Sequence, residues 1–518
     1  MVLGCTSGAG KSWLTTALCR WFARQGYKVA PFKAQNMSNN ARVAAGVASG
    51  TGGYAHALPG GEIGSAQYFQ ALAAGTVPDV RMNPLLLKPE ADTHSQVVLL
   101  GQVDTHLTAL PWRERRALVW PAVAQALDSL RAENDVVVIE GAGSPAEINL
   151  ADSDVVNMRV ARHAHAACLL VADIDRGGAF AHLYGTWALL PEADRQLLRG
   201  FVLNKFRGDA SLLAPAPQTL QTLTGVPTVA TLPMWRDHGL PEEDGVFDDS
   251  GTTPAQAQDA ITIAVVAYPR ISNLDEFQSL KHIPRVQLRW VRHAQQLADL
   301  RPQDWIVLPG SKATASDLHW LRQQGLDAAI CRPAARGGRI LGVCGGLQML
   351  GEAVVDVQGV ESAANPSYPS NAPGLGLLPL ASCMQSSKTV RHAQPGFARA
   401  LPGPWAALAG LNVQGYEIHM GQTQPHPAML RAGHVALPAL THADGEVIGW
   451  LNGAATPDNP HTGNVLGLYL HGLFENPAVL QALFGQRGHD LEATFNRMAD
   501  YVEACFGADT LRGLLHAR

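Results

Sequence analysis

The sequence predicts an α/β protein of two successive domains, each a parallel sheet covered by helices. Three observations carry that expectation. The chain has 518 residues, more than one hydrophobic core organises, so two domains are the natural division. Its apolar runs are short, do not alternate, and end on polar residues or glycine, as strands buried on both faces do. They form two series: Val136–Ile139, Cys168–Ala172 and Phe201–Leu203, then Ile261–Val266, Trp305–Leu308, Ile340–Val343 and Val465–Leu470. Between the series, residues 242–259 read EEDGVFDDSGTTPAQAQD, acidic and polar and without period, which marks a linker.

Taken in order, Ser12 to Gln25 carries apolar residues at Leu14, Ala17, Leu18, Trp21 and Phe22. That is one face of a helix, and Gly26 is placed to end it. Val29–Phe32 follows as a strand. Two loops stand out for small residues, Ala44–Gly61 and Ser362–Gly376, and no internal repeat is evident. The last thirty or so residues read as helical and are assigned to the second domain. The expected division is therefore 1–245, a linker at 246–258, and 259–518.

Composition narrows the class. Hydrophobic residues make up 47% and charged residues 16%, an ordinary globular balance. A net charge of -5 offers no basic face for nucleic acid. The apolar runs are strand-sized, too short for a membrane span. The N-terminus runs straight into a glycine-rich loop, so no signal peptide is expected. Seven cysteines without CxxC spacing read as reduced thiols. A cytoplasmic protein is expected. The sequence leaves its oligomeric state open.

The glycine-rich loop is Gly4-Cys5-Thr6-Ser7-Gly8-Ala9-Gly10-Lys11-Ser12, between a short strand and a helix. Gly8 and Gly10 let backbone N–H groups turn inward around phosphate oxygens, and the helix N-terminus adds a favourable dipole. Lys11 would reach the outer phosphates and the Ser12 hydroxyl would ligate Mg²⁺, which predicts an ATP site. The spacing is a variant: Cys5 stands where the usual pattern has its first glycine, and Gly4 lies one earlier. Glu140 ends the strand Val136–Ile139 and is expected beside this loop, as a metal carboxylate or an ordinary strand-end charge. Asp173 and Asp175 follow another strand and could hold metal, substrate or only a turn. Asn204 and Lys205 follow a third and could contact the adenine.

The second constellation is Gly342-Val343-Cys344-Gly345-Gly346-Leu347-Gln348. A strand runs into Cys344 and a helix leaves it, the geometry that projects a nucleophile from a tight turn. Flanking glycines permit the strained backbone, and the helix dipole favours the reactive thiolate. His471, at the end of the strand Val465–Leu470, is the expected base. His419 is the rival, expected to be structural or substrate-lining. Backbone N–H groups of Gly345 and of the loop Pro309-Gly310-Ser311 would form an oxyanion hole.

Long stretches join these motifs to a family. Residues 30–37 (APFKAQNM), 81–89 (RMNPLLLKP), 140–150 (EGAGSPAEINL), 173–178 (DIDRGG), 204–209 (NKFRGD), 308–312 (LPGSK) and 416–421 (YEIHMG) resemble the cobyric acid synthase family of cobalamin-biosynthesis glutamine amidotransferases. The resemblance spans nearly the whole chain. It implies a P-loop NTPase-like parallel sheet domain followed by a class I glutamine amidotransferase-like α/β domain. The front half is similar to dethiobiotin synthetase, whose phosphate loop shares the longer spacing.

The implied reaction amidates the b, d, e and g carboxylates of a corrinoid, adenosylcobyrinic acid a,c-diamide. Nitrogen comes from L-glutamine, and one ATP is used per amide. Cys344 would carry a glutamyl thioester and His471 would shuttle protons, with Gly310, Gly345, Gln348, Asp173 and Asp175 on the substrate side. By analogy with dethiobiotin synthetase, Ser12, Glu62 and Glu140 stand on the metal side. One position departs from related glutaminases, many of which carry His-x-Glu. Here Leu473 takes the Glu position and Glu475 lies two further on, which leaves the third member of the Cys–His site open. Competing readings are the sibling that amidates only the a and c carboxylates, and a P-loop regulatory ATPase with an inert thiol domain.

Overall fold

The computed structural model describes residues 1–45, 60–91, 93–236, 238–240, 260–361, 371–453, 461–488 and 490–516. The expected linker, and most of the two small-residue loops, lie outside them. Both expected sheets are present. In the first half, Val2–Gly4, Cys168–Asp173, Leu198–Phe206 and Thr228–Pro233 pair in parallel in that order. Val29–Phe32 and Val136–Ile139 pair in parallel alongside. A bridge between Val2 and Glu140 joins the two groups. The glycine-rich loop and Glu140 therefore leave the same edge from adjacent strands. The helix Lys11–Arg24 follows the loop and buries Leu14, Ala17, Leu18, Trp21 and Phe22, the face read from its spacing.

The second sheet has eight strands. Val286–Val291, Ile261–Val266, Trp305–Leu308, Arg339–Val343 and Val465–Leu468 run parallel. Val447–Asn452, Ala436–Thr441 and Gly396–Phe397 extend it antiparallel. A smaller sheet, with Leu380–Ala393 against Gly415–Pro425, stands beside it. These antiparallel strands were not predicted. Leu380–Ala393, Gly415–Pro425 and Ala436–Thr441 mix exposed with buried positions and polar with apolar residues, so they lack the continuous apolar signature of the buried ones; Val447–Asn452 is largely buried. No helix among the described residues is long and apolar enough to cross a membrane.

The C-terminal helices depart from expectation. Leu491–Phe506 lies against the first-domain helix Lys11–Arg24, not on the second sheet. Its Phe495, Met498, Ala499, Val502 and Phe506 join a core with Leu14, Leu18, Trp21 and Val171. Polar contacts frame that core: Trp21 Nε1 donates to Glu503 at 2.7 Å, and Arg24 pairs with Asp500 at 2.6 Å. Helical periodicity shows that an apolar face exists but not which sheet covers it.

The halves also meet through side chains. Ala41, Val43, Leu86 and Val98 of the first half pack with Tyr416 and Ile418 of the second. The hairpin Ala41–Ala44 with Gly61–Gly64 carries this contact.

Phe495→Ala is expected to cost about 3–5 kcal/mol, the usual loss for a buried phenylalanine. Equilibrium urea unfolding reads it as a lower midpoint. An unchanged midpoint would place this helix outside the first core.

Candidate functional site

The glycine-rich loop is built around the lysine that follows it. A Cβ on Gly4 would stand 3.0 Å from the Lys11 side chain, so the early glycine makes room for that chain as it folds back under the loop. This accounts for the variant spacing. Lys11 Nζ donates to the carbonyls of Thr6 at 3.1 Å and Gly143 at 3.2 Å. Gly10 is left-handed at φ 95°, and a Cβ there would strike Asn204 Nδ2 at 2.1 Å.

Glu140 is fully buried beside the loop. Its Oε1 accepts from the Ser12 hydroxyl at 2.7 Å and from Lys33 Nζ at 3.0 Å, and its Oε2 from Gln70 at 2.6 Å. Lys33 and Gln70 were not singled out from the sequence. Lysines and glutamines are common, and only the fold turns these two toward a carboxylate.

Asn204 and Lys205 brace the loop from the strand Leu198–Phe206: Asn204 donates to the Ala9 carbonyl at 2.8 Å, and Lys205 Nζ to the Gly8 carbonyl at 2.9 Å. Lys205 also pairs with Asp173 at 3.2 Å. Asp175 receives Arg207 Nε at 2.6 Å. These carboxylates are thus held among cations at the rim of the loop. Glu62 is engaged differently. It pairs with Lys88 at 2.8 Å and with Lys388, which reaches it from the second half of the chain. Burial pushes the Glu62 carboxyl up, but Lys388 and Lys88 outweigh it and hold it down at about 2. The structure brings Ser12 and Glu140 together and gives Glu62 two ammonium partners.

At the second site, Cys344 sits between the strand Arg339–Val343 and the helix Gly345–Leu350 at φ 53°. Positive φ is strained for a residue with a side chain and is typical of a nucleophile held in a sharp turn. The neighbours leave no room for alternatives. A Cβ on Gly346 would lie 1.8 Å from the Leu308 carbonyl, and one on Gly345 would lie 2.7 Å from the Ser311 nitrogen. Gly345 and Ser311 therefore lie backbone to backbone, as an oxyanion pocket drawn from both requires. Gly310 is equally confined, since a Cβ there would meet His471 Cε1 at 3.1 Å.

His471 is buried next to the thiol. Its Nδ1–H donates to Glu276 Oε1 at 3.0 Å, and the Gly472 N–H donates to Glu276 Oε2 at 3.2 Å. Burial pulls the His471 imidazole down, but Glu276, then Cys344, raise it to about 10. Tyr416 stacks on the ring at 5.2 Å. Gln348 accepts from Thr314 at 3.1 Å and donates to Tyr469 at 3.2 Å. The rival His419 is committed elsewhere: its ring bonds the Gly421 carbonyl at 2.9 Å and Glu417 at 3.2 Å, and it stacks on Tyr469.

Glu276 was missed from the sequence. It precedes His471 by 195 positions. The available signal was Asp275-Glu276 between Leu274 and Phe277, shortly after the strand Ile261–Val266. Adjacent carboxylates between apolar residues near a strand end point toward a site. Glu475, two residues past the His-x-Glu position, accepts from Arg42 at 2.9 Å.

Comparison with known proteins follows the same division. Residues 1–244 match the CobQ/CobB/MinD/ParA nucleotide binding domain family, and residues 262–479 match the CobB/CobQ-like glutamine amidotransferase domain family. A cobyric acid synthase of Variovorax paradoxus (strain S110) is 65% identical over 517 residues, covering 99% of this chain and 98% of the relative. That of Albidiferax ferrireducens is 64% identical over 519 residues, covering 99% of each. That of Polaromonas naphthalenivorans is 63% identical over 515 residues, again covering 99% of each.

The raised His471 value has a sign that can be tested. Unfolded, the ring titrates near 6.5; folded, at about 10. Its charge therefore stabilises the fold fully below pH 6.5, and that contribution fades as the pH climbs toward 10. Glu276→Gln removes the main charge partner. The stability gap between the wild type and this variant, from urea unfolding at fixed salt, is expected to be wide at pH 6.5 and narrow at pH 10. A gap independent of pH would contradict the His471–Glu276 pairing.

Proposed function

The chain belongs to the cobyric acid synthase family of glutamine-hydrolysing, amide-forming ligases, and on that premise we propose that it amidates the b, d, e and g carboxylates of adenosylcobyrinic acid a,c-diamide to give adenosylcobyric acid, using ATP and L-glutamine. One observation carries this reading. A single chain holds a Ser12–Glu140 pair at a phosphate loop and a Cys344–His471–Glu276 array at a strained strand–helix turn.

At the thiol site, Glu276 fixes the Nδ1 proton and leaves Nε2 for the reaction. The sulfur of Cys344 attacks the side-chain carbonyl of glutamine. The resulting oxyanion lies against backbone N–H groups around Gly345 and Ser311. The C–N bond then breaks, and ammonia leaves with a proton from His471. Water, its proton taken by His471, releases glutamate from the thioester.

At the phosphate loop, a substrate carboxylate oxygen attacks the terminal phosphorus of ATP and ADP departs. Lys11 and the helix N-terminus hold the phosphates. Ammonia then attacks the acyl carbon and phosphate leaves. Mg²⁺ fits beside the Ser12 hydroxyl and the Glu140 carboxylate, oxygens 2.7 Å apart, and when bound it would neutralise phosphate charge. Glu62, on the metal side by the dethiobiotin synthetase analogy, pairs with Lys88 and Lys388.

Cys344→Ala is expected to abolish synthesis from glutamine and to leave synthesis from ammonia largely intact, because free ammonia bypasses the thiol. Lys11→Ala is expected to lower synthesis from either source by a factor on the order of a hundred or more. Near-normal ammonia-dependent synthesis by Lys11→Ala would move the ATP site elsewhere.

Mass spectrometry of the corrinoid after incubation with ATP, Mg²⁺ and glutamine tests the substrate. Four added amides are expected on the a,c-diamide. A single phosphate loop must serve all four, so partly amidated corrinoids are expected in solution early in the time course. Arrest after the first amide would refute the four-amide reading. Amidation of only a and c on cobyrinic acid would favour the sibling activity.

A further inference from the structure

We propose that Arg42, in the nucleotide-binding half of the chain, is a positioning residue that holds the glutaminase histidine in its working geometry and so ties glutamine use to the ligase domain. The proposal rests on the Cys344–His471 reading given above. Arg42 is 2% exposed, on the strand Ala41–Ala44. A buried guanidinium is tolerated only when it is fully matched, and both groups that match it come from the other half. Its Nε donates to Asp275 at 2.7 Å, and a second nitrogen bonds the same oxygen. It also pairs with Glu475 at 2.6 Å.

Each partner leads to His471 by a separate route. Asp275 adjoins Glu276, which holds the His471 ring. Glu475 closes the turn Leu473–Glu475, which begins next to Gly472, itself bonded to Glu276. The guanidinium also lies 5.0 Å from the Tyr416 ring, which stacks on the His471 ring. Backbone contacts secure the same junction: Asn273 donates to the Ala41 carbonyl at 2.7 Å, and the Leu274 N–H donates to Asn40 at 2.9 Å.

The other end of the connection reaches the phosphate loop. Arg42 pairs across the hairpin with Ile63. That strand runs directly into the helix Ser65–Ala73, and Gln70 on this helix donates to Glu140. The strand Gly61–Gly64 and the helix Ser65–Ala73 therefore touch the ligase carboxylate at one end and, through the pairing with Arg42, the surroundings of His471 at the other. A change around Glu140 has a path to the glutaminase histidine through hydrogen bonds, strand pairing and ion pairs.

The test compares Arg42→Ala, Arg42→Lys and Glu475→Gln in the full chain. Synthesis is measured from glutamine and from ammonium chloride. Arg42→Ala is expected to lower kcat with glutamine about tenfold to a hundredfold, the scale of a misplaced catalytic group. Its KM for glutamine should stay nearly constant and its ammonia-dependent rate within about twofold of wild type, since Arg42 touches neither substrate. Arg42→Lys should recover part of the loss. Glu475→Gln should show a smaller kcat effect of the same kind, and it carries the test if Arg42→Ala does not fold.

Equal losses with both nitrogen sources in the folded variants would mean a merely structural role and would overturn the proposal. So would unchanged glutamine-dependent kcat in Arg42→Ala beside an inactive Cys344→Ala. Retained glutamine use in Cys344→Ala would overturn the thiol-site reading, and this proposal with it.

Discussion

A carboxylate taken out of water must be matched by donors on every side, or it costs more than the fold can supply. Both sites of this protein are arranged around such a group. Glu140 is matched by a hydroxyl, an ammonium and an amide. Those three side chains come from the phosphate-loop helix, the end of a neighbouring strand and a second helix. Satisfying one carboxylate therefore fixes three elements around the place where phosphate would lie. Glu276 does the same at the thiol site, where the ring of His471 and the N–H of Gly472 are set by its two oxygens. Glu276 favours charge on the imidazole, while burial pushes the Glu276 carboxyl up and His471 pulls it back, so removing either unbalances the other.

What the sequence revealed is what local physics dictates. A glycine that must adopt positive φ, a lysine at a helix start, a cysteine between a strand and a helix, and a histidine at a strand end all announce themselves within a few residues. The fold class followed from short apolar runs, and both sheets contain them. The signals that failed are those set by tertiary pairing. Glu276 meets His471 only because the chain returns 195 residues later. Glu62 stands on the metal side by analogy, and nothing local shows that Lys388, more than three hundred residues later, pairs with it. The helix Leu491–Phe506 displayed its apolar face plainly, but its place on the first core depends on Trp21 and Leu14, which nothing nearby in the sequence could indicate.

That last pairing changes how the chain is understood as an object. The first core is closed by the helix Leu491–Phe506, so the amidotransferase unit lies between two segments that belong together. The two halves are further joined where Arg42, Asn40 and Ala41 meet the turn Asn273–Glu276 and the stretch after His471. The surroundings of His471 therefore include side chains of the nucleotide-binding half.

The central claim is that one chain makes ammonia at Cys344 and spends it at the phosphate loop. The most direct measurement follows the nitrogen. The protein is given corrinoid a,c-diamide, ATP, Mg²⁺ and glutamine labelled with ¹⁵N in its side-chain amide, together with an equal concentration of unlabelled ammonium, and the corrinoid product is weighed by mass spectrometry. The account predicts that the new amides carry mostly ¹⁵N. Product nitrogen drawn mainly from the unlabelled ammonium, with glutamine hydrolysed alongside, would contradict it.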